Sequence, residues 1–162
     1  MICYHGSDVV VEVPKILKSK RPLDFGVGFY VTSNKEQATK WSTIVALRNN
    51  NKKKYVNKYE FNIDEAINKL RILYFSSPNE EWLKFVCDNR KGKSTSDYDI
   101  VIGPVADDKV YRVVLLYEHG DIDKDLALKK LKTEKLCDQI LFHTEKSLEY
   151  LKFIEVEELN NG

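Results

Sequence analysis

The side chains that most often carry chemistry are few and scattered in this chain. His5, His119 and His143 have no His or Cys partner at metal-ligand spacing. Cys3, Cys87 and Cys137 are odd in number and widely spaced, with no CxxC pair. Neither a zinc site nor a disulfide framework is therefore expected, and the three read as reduced core thiols. A Cys137–His143 nucleophile is conceivable, but an inert cysteine is the simpler reading. There is no Walker loop and no GxSxG elbow. Gly26-Val27-Gly28 is GxG alone and precedes a strand. A dinucleotide fingerprint follows one, so a Rossmann reading fails. Two segments remain. Tyr4-His5-Gly6-Ser7 ends a first strand. Asp24-Phe25-Gly26-Val27-Gly28-Phe29-Tyr30-Val31-Thr32 leads to Gln37-Ala38-Thr39-Lys40-Trp41.

The elements that must position these residues follow from pattern and punctuation. Residues 2–5 read as a short strand. Residues 8–22 carry Pro14, Pro22 and the basic cluster Lys15, Lys18, Lys20 and Arg21, and read as a turn of helix and a loop. A glycine-punctuated turn at 24–28 leads into a strand at 29–32. Ser33 and Glu36 form a capping box for a helix to about Asn49, with Ala38, Trp41, Ser42 and Val45 on one face. Tyr55 to Asp64 alternates as a strand, with Tyr55, Tyr59 and Phe61 set against Asn57, Lys58 and Asn62. Leu70 to Phe75 is another strand. Ser77-Pro78-Asn79-Glu80 reads as a capping box with Pro at the first helical position, opening a helix through Trp82, Phe85 and Val86. Tyr98 to Ile102 is an apolar strand ended by Gly103-Pro104. Val110 to Glu118 is rich in β-branched residues, yet its spacing, its Asp107-Asp108 start and Gly120 favour helix. A helix at 122–131, a strand at 139–142, a capped helix at 144–151 and a strand at 153–156 complete the chain. The expected fold is α+β: two packed, mainly antiparallel sheets with peripheral helices, in one domain over residues 1–162.

The 162 residues carry 26 Lys plus Arg against 25 Asp plus Glu, a formal net charge of +1. A charge this even argues against partners held by a broad field of one sign. The 43% apolar and 31% charged content fits a globular protein. The N-terminus lacks the basic flank and apolar run of a signal peptide, and no apolar run approaches ~18 residues. A cytoplasmic protein without a membrane span is expected. Asn49 to Lys54 is a polar, low-complexity loop.

The two segments together resemble the NAD-binding half of ADP-ribosyltransferases of the diphtheria-toxin and poly(ADP-ribose) polymerase type. There a first strand ends in His-Gly, a Gly-x-Gly-aromatic-Tyr strand follows, and a second aromatic lies one helix later. Trp41 stands eleven residues after Tyr30. The rest of the chain resembles an uncharacterised bacterial family of that superfamily, through Glu81-Trp82-Leu83-Lys84-Phe85-Val86, Asn89-Arg90, Asp99 to Asp108, and Asp138-Gln139-Ile140-Leu141-Phe142. The resemblance implies an ADP-ribosyltransferase-like fold with NAD as co-substrate. It implies release of nicotinamide and transfer of ADP-ribose to a protein, nucleic-acid or small-molecule acceptor. It also implies the toxic or modifying half of a bacterial defence or toxin–antitoxin pair, with a cognate antitoxin as partner.

The physical reading of the same positions is compatible. Tyr30 and Trp41 offer aromatic faces to a flat ring, each stacked pair adding ~0.5–1.5 kcal/mol beyond area burial. Gly6 lacks a Cβ, so its backbone can approach a carboxamide. His5 offers a ring nitrogen to a ribose hydroxyl, by resemblance that of the adenosine. Ser7, Gly28 and Phe29 border the same site. Gln139 aligns with the Glu of better-known relatives, which holds the nicotinamide ribose and stabilises positive charge in the transition state. Gln139 orients a sugar but supplies no charge, a loss often worth ~3–4 kcal/mol. A nearby carboxylate (Asp97, Asp99 or Asp138) is one substitute. The other readings are an NAD- or ADP-ribose-binding module without transfer, and an interaction protein with a vestigial pocket. Asn89-Arg90 fits a helix C-terminus or a ligand contact equally well.

Overall fold

The computed structural model describes residues 1–18, 23–93, 97–105, 108–133 and 136–160. Lys20, Arg21, Pro22, Ala106 and Asp107 lie outside the described residues, and so does that part of the expected basic cluster.

Among the described residues seven strands form two sheets. One is antiparallel, in the order β1 (Ile2–Ser7), β3 (Tyr55–Phe61), β7 (Leu151–Glu158). The other runs β2 (Phe29–Val31), β6 (Asp138–Phe142), β5 (Ile100–Pro104), β4 (Ile72–Tyr74), antiparallel except for the β4–β5 pair. The sheets meet where Tyr4 bridges Thr32, each N–H donating to the other's carbonyl at 2.8 and 2.9 Å. The expected α+β class with two mainly antiparallel sheets is therefore present.

Alternation along the strands makes two apolar cores. Cys3, Phe29, Val31, Tyr59, Phe61, Ile140 and Phe142 come from both sheets and pack together. The other face of the four-stranded sheet contributes Leu141 and Val101. These meet Trp82, Leu83 and Val86 of α3 (Glu80–Arg90), Val110 and Val114 of α4 (Asp108–Glu118), and Ala127 and Leu131 of α5 (Lys124–Leu131). Each fully buried large side chain contributes about 1.5–3 kcal/mol. Val110 and Val114, one turn apart and both 0% exposed, settle the ambiguous segment as helix. α1 (Lys35–Arg48) instead packs on β1.

Several local expectations are corrected. Asn34, not Ser33, caps α1, its Oδ1 accepting from the Gln37 N–H at 3.1 Å. Asn79, not Ser77, caps α3, accepting from the Trp82 N–H at 2.9 Å, so Pro78 precedes the cap. In both, an Asn one or two positions later outcompetes the serine for the orphan donors. β3 stops at Phe61 because Asn62 caps α2 (Ile63–Lys69), an unanticipated helix. β5 continues through Gly103-Pro104, because β6 still pairs with both residues. β7 outruns its expected span at both ends. α6 (Glu145–Leu148) is shorter than the helix expected at 144–151. Asn57 is fully buried rather than on the polar side of β3. Its amide donates to the His5 and Val9 carbonyls, and its Oδ1 accepts from the Val11 N–H at 2.8 Å.

Candidate functional site

The Tyr4–Thr32 bridge sets which side chains share a face. Residues paired across antiparallel strands point the same way, and so do residues two apart along one strand. Tyr4 and Gly6 therefore face with Tyr30 and Thr32. Tyr30 is opposite Leu141 on β6, so Gln139, two residues earlier, faces with them as well. Gly6, Tyr30 and Gln139 thus come from three strands to one face at the junction of the sheets.

His5 points from the opposite face and is half-buried. Its Nδ1 lies 2.7 Å from the Tyr30 carbonyl oxygen. A carbonyl only accepts, so Nδ1 carries the proton and Nε2 of the neutral ring is the acceptor. Burial drives the ring's pKa below its ordinary value, and the Tyr30 carbonyl offsets this in part. Phe29 stacks on the imidazole, centroids 4.4 Å apart, and packs edge-on against Tyr59. Phe29, 7% exposed, is thereby a core residue that fixes His5. Ser7 is buried and its Oγ accepts from the Val9 N–H at 3.3 Å.

Gly6 is required by packing. A Cβ there would stand 1.9 Å from the Ala38 carbonyl oxygen and 2.7 Å from the Ser42 nitrogen. The α1 backbone occupies the space expected for a ligand's closest approach. Gly28 is similar: a Cβ would lie 2.3 Å from both Leu141 Cδ1 and the Phe142 carbonyl oxygen. The buried face of α1 is Ala38, Ser42 and Ala46. Trp41, expected on the same helix face as Ala38, is instead 39% exposed, with the Arg48 guanidinium 5.1 Å from its ring centroid. Helical rotation puts the smaller residues against Gly6 because only they permit this approach.

Tyr30 is held by the turn that precedes its own strand. Its hydroxyl donates to the Gly26 carbonyl at 2.5 Å and accepts from the Phe25 N–H at 3.2 Å. Burial, and secondarily the Asp24 charge, raise its pKa, while the bond from Phe25 opposes the rise. Gly26 is left-handed, with φ 93°. The C-terminal end of α3 grips this turn. Asn89 Oδ1 sits 3.0 Å from where a Gly26 Cβ would be, and Arg90 Nη1 lies 3.8 Å from Asp24 Oδ1. The Arg90 guanidinium stacks over Tyr111 of α4, 4.1 Å from the ring centroid. Asn89-Arg90 is thus both a helix end and a support for the site. Spacing alone does not link Asp24 or Tyr111 to Arg90; only the tertiary fold joins them.

Gln139 is 8% exposed. Its Nε2 donates to the Pro104 carbonyl at 3.4 Å, and the Trp82 indole N–H donates to the same oxygen at 3.1 Å. Asp138, beside it, accepts through Oδ1 from the Thr32 hydroxyl and from the Ser33 N–H and hydroxyl at 2.8–3.0 Å. Asp99 cannot substitute for a charge at Gln139. It precedes Ile100, which pairs with Phe142, whereas Gln139 pairs with Gly103. Four residues of strand separate the two ends, roughly 13 Å. Asp97 is exposed and precedes β5.

A groove of about 750 Å³ opens beside the Gln139 end, lined by Tyr74, Phe75, Gly103, Pro104, Cys137 and Asp138 among others. A smaller one of about 290 Å³ lies between Tyr4, Lys35, Lys58 and Glu155. Neither is lined by His5, Tyr30 or Gln139. Among the described residues no group of three or more His, Cys, Asp or Glu could hold a metal. Burial pushes the Cys3 thiol up to about 12 and the Cys87 thiol to about 11, which makes both poor nucleophiles. No described helix is long and apolar enough to cross a membrane.

No curated protein and no solved structure matches the chain. Residues 1–153 match the family described as protein of unknown function (DUF3990), and the chain belongs to that family.

Proposed function

We propose that this chain is an NAD-dependent ADP-ribosyltransferase of the diphtheria-toxin and poly(ADP-ribose) polymerase type, with the corresponding fold. The observation that carries the reading is the convergence of Gly6, Tyr30 and Gln139 from three strands on one face, with His5 bonded to the Tyr30 carbonyl. In this reading Nε2 of His5 accepts from a ribose hydroxyl, Tyr30 stacks on nicotinamide, and Gln139 orients the nicotinamide ribose. The bond from ribose C1′ to nicotinamide breaks and the electron pair leaves with nicotinamide. An acceptor nucleophile bonds to C1′ and loses its proton. By resemblance alone, the protein acts inside a bacterial cell, with an antitoxin as partner.

The second reading is a module that binds NAD or ADP-ribose without transfer. It is favoured by the neutral Gln139, whose amide is engaged by Pro104. Purified protein with NAD labelled in the nicotinamide ring separates the two. Released nicotinamide supports the transferase. Calorimetric binding without release supports the module. No binding overturns both. His5→Ala abolishes NAD binding under either reading, and unchanged affinity removes His5 from the site.

A further inference from the structure

Arg90 is one of the most enclosed charges in the molecule. Its side chain is 11% exposed, that of Asp24 18%, and Arg90 Nη1 is a buried donor with no hydrogen-bond partner. A guanidinium stays charged in any protein, so it cannot escape this cost by losing a proton. Burying an unsatisfied charged donor costs more than the typical 1–3 kcal/mol of a neutral one. Three features hold Arg90 there nonetheless. It lies in the last turn of α3, where the helix dipole favours a cation. Its plane rests on Tyr111. Asp24 Oδ1 is 3.8 Å away, close enough for charge attraction and too far for a hydrogen bond.

Asp24 is the first residue of the turn that anchors Tyr30. Two hydrogen bonds join that turn to the Tyr30 hydroxyl, and Asn89 closes on Gly26 from the helix position next to Arg90. We propose that Arg90 is a positioning residue of the candidate site. Through Asp24 it sets the turn that holds the Tyr30 ring. The ligand class rests on the nicotinamide reading; the coupling from Arg90 to Tyr30 does not.

The test has a ligand-free arm and a ligand arm. In the first, the protein carries ring-labelled tyrosine, and Tyr30→Phe assigns the Tyr30 resonances by NMR. Arg90→Gln and Tyr111→Leu should both shift them and speed ring flipping. Tyr111 is 41% exposed, so its variant keeps the fold and serves where Arg90→Gln does not. Unchanged Tyr30 signals in a folded variant overturn the proposal. In the second arm, nicotinamide affinity should fall about tenfold in Arg90→Gln, with partial rescue in Arg90→Lys. Combined with Tyr30→Phe, the Arg90→Gln loss should shrink to twofold or less, because both substitutions act on one element. Additive losses overturn it. Should Tyr30 signals respond while the parent protein binds neither nicotinamide nor NAD, the positioning role is supported and the proposed function is what fails.

Discussion

The two ends of the β5–β6 ladder are built on opposite principles. At one end Asp99, 1% exposed, is a buried charge with a full set of partners. Its Oδ2 accepts from the Arg71 N–H at 3.0 Å, and its Oδ1 accepts from the Thr144 hydroxyl at 3.0 Å and faces Lys146 Nζ at 3.2 Å. Burial alone would raise its pKa, but these donors outweigh burial and hold the carboxyl below the usual range. At the other end, Gln139 and Gly103 meet Phe25, Phe75, Trp82 and the Pro104 carbonyl. The Asp138 carboxylate beside Gln139 is taken up by Thr32 and Ser33, and fit at Gln139 and Gly103 depends on missing side-chain atoms and a neutral amide. The charged end ties β4, β5 and α6 together. The neutral end, continued through β2 to Gly6, carries the residues of the proposed site. The buried charge of Asp99 therefore serves as a joint between elements.

The largest expected effect is steric and falls on the neutral side. Gly6→Ala drives a methyl into the α1 backbone and should cost about 3 kcal/mol, read as a lowered denaturation midpoint. A loss below ~1 kcal/mol would mean that α1 moves freely, leaving Gly6 available to a ligand. Next, Asp99→Ala strands the Arg71 N–H and the Thr144 hydroxyl and should cost about 2–3 kcal/mol. Under the proposed function, NAD affinity measured on the folded fraction should not change, because the ladder separates the two ends; a large change would break the division.

Gln139→Glu is a smaller and double-edged change. An ionised carboxylate cannot donate to the Pro104 carbonyl, so a loss of about 1–2 kcal/mol is expected. Under the proposed function nicotinamide release should nevertheless rise, by up to a hundredfold, because the new charge faces the developing cation. Reduced stability with no gain in release would detach Gln139 from the chemistry.

Acid separates the two regions without mutation. His5 has a depressed folded pKa, so the unfolded chain binds its proton first. Stability from this group is present above the unfolded value of about 6.5 and falls as pH drops through the lower folded value. Protonation also removes the Nε2 acceptor, so under the proposed function NAD binding should weaken in that same window. Asp99 is depressed too. Its contribution is present above the unfolded value of about 3.9 and is lost only as pH drops through its lower folded value. Denaturation midpoints followed by circular dichroism at a series of pH values should fall in two windows in the parent protein. His5→Gln should remove the fall nearer neutrality and Asp99→Asn the one at lower pH. Smallest of all, Trp41→Ala should cost under ~1 kcal/mol in stability, since the ring is 39% exposed. It should still weaken NAD if Trp41 stacks on nicotinamide.

The strands and helices whose patterns were strong were legible in the chain: β1, β2, the ladder strands, α1, and α4 despite its β-branched residues. Short polar signals are ambiguous in the sequence. Asn34, Asn62 and Asn79 all act as caps, and a neighbouring serine or an extended alternation masked them. Whether a serine or an asparagine caps depends on which one the backbone geometry presents to the free N–H groups, and spacing does not encode that. Of the proposed site, the motifs carrying His5, Gly6, Tyr30 and Gln139 are readable in the chain; that Gly6, Tyr30 and Gln139 share one face while His5 points from the other is not.

Composition, local propensity and motif order by themselves determined the α+β class and the residues worth placing. Tertiary structure alone decided their uses. It gave the space beside Gly6 to α1, turned Trp41 outward, put Asp99 at the wrong end of the ladder to serve Gln139, and drew Arg90 to the turn behind Tyr30. The reason is physical. Strand register and helix rotation are settled by which side chains can be buried together, and that depends on contacts between residues far apart in the chain.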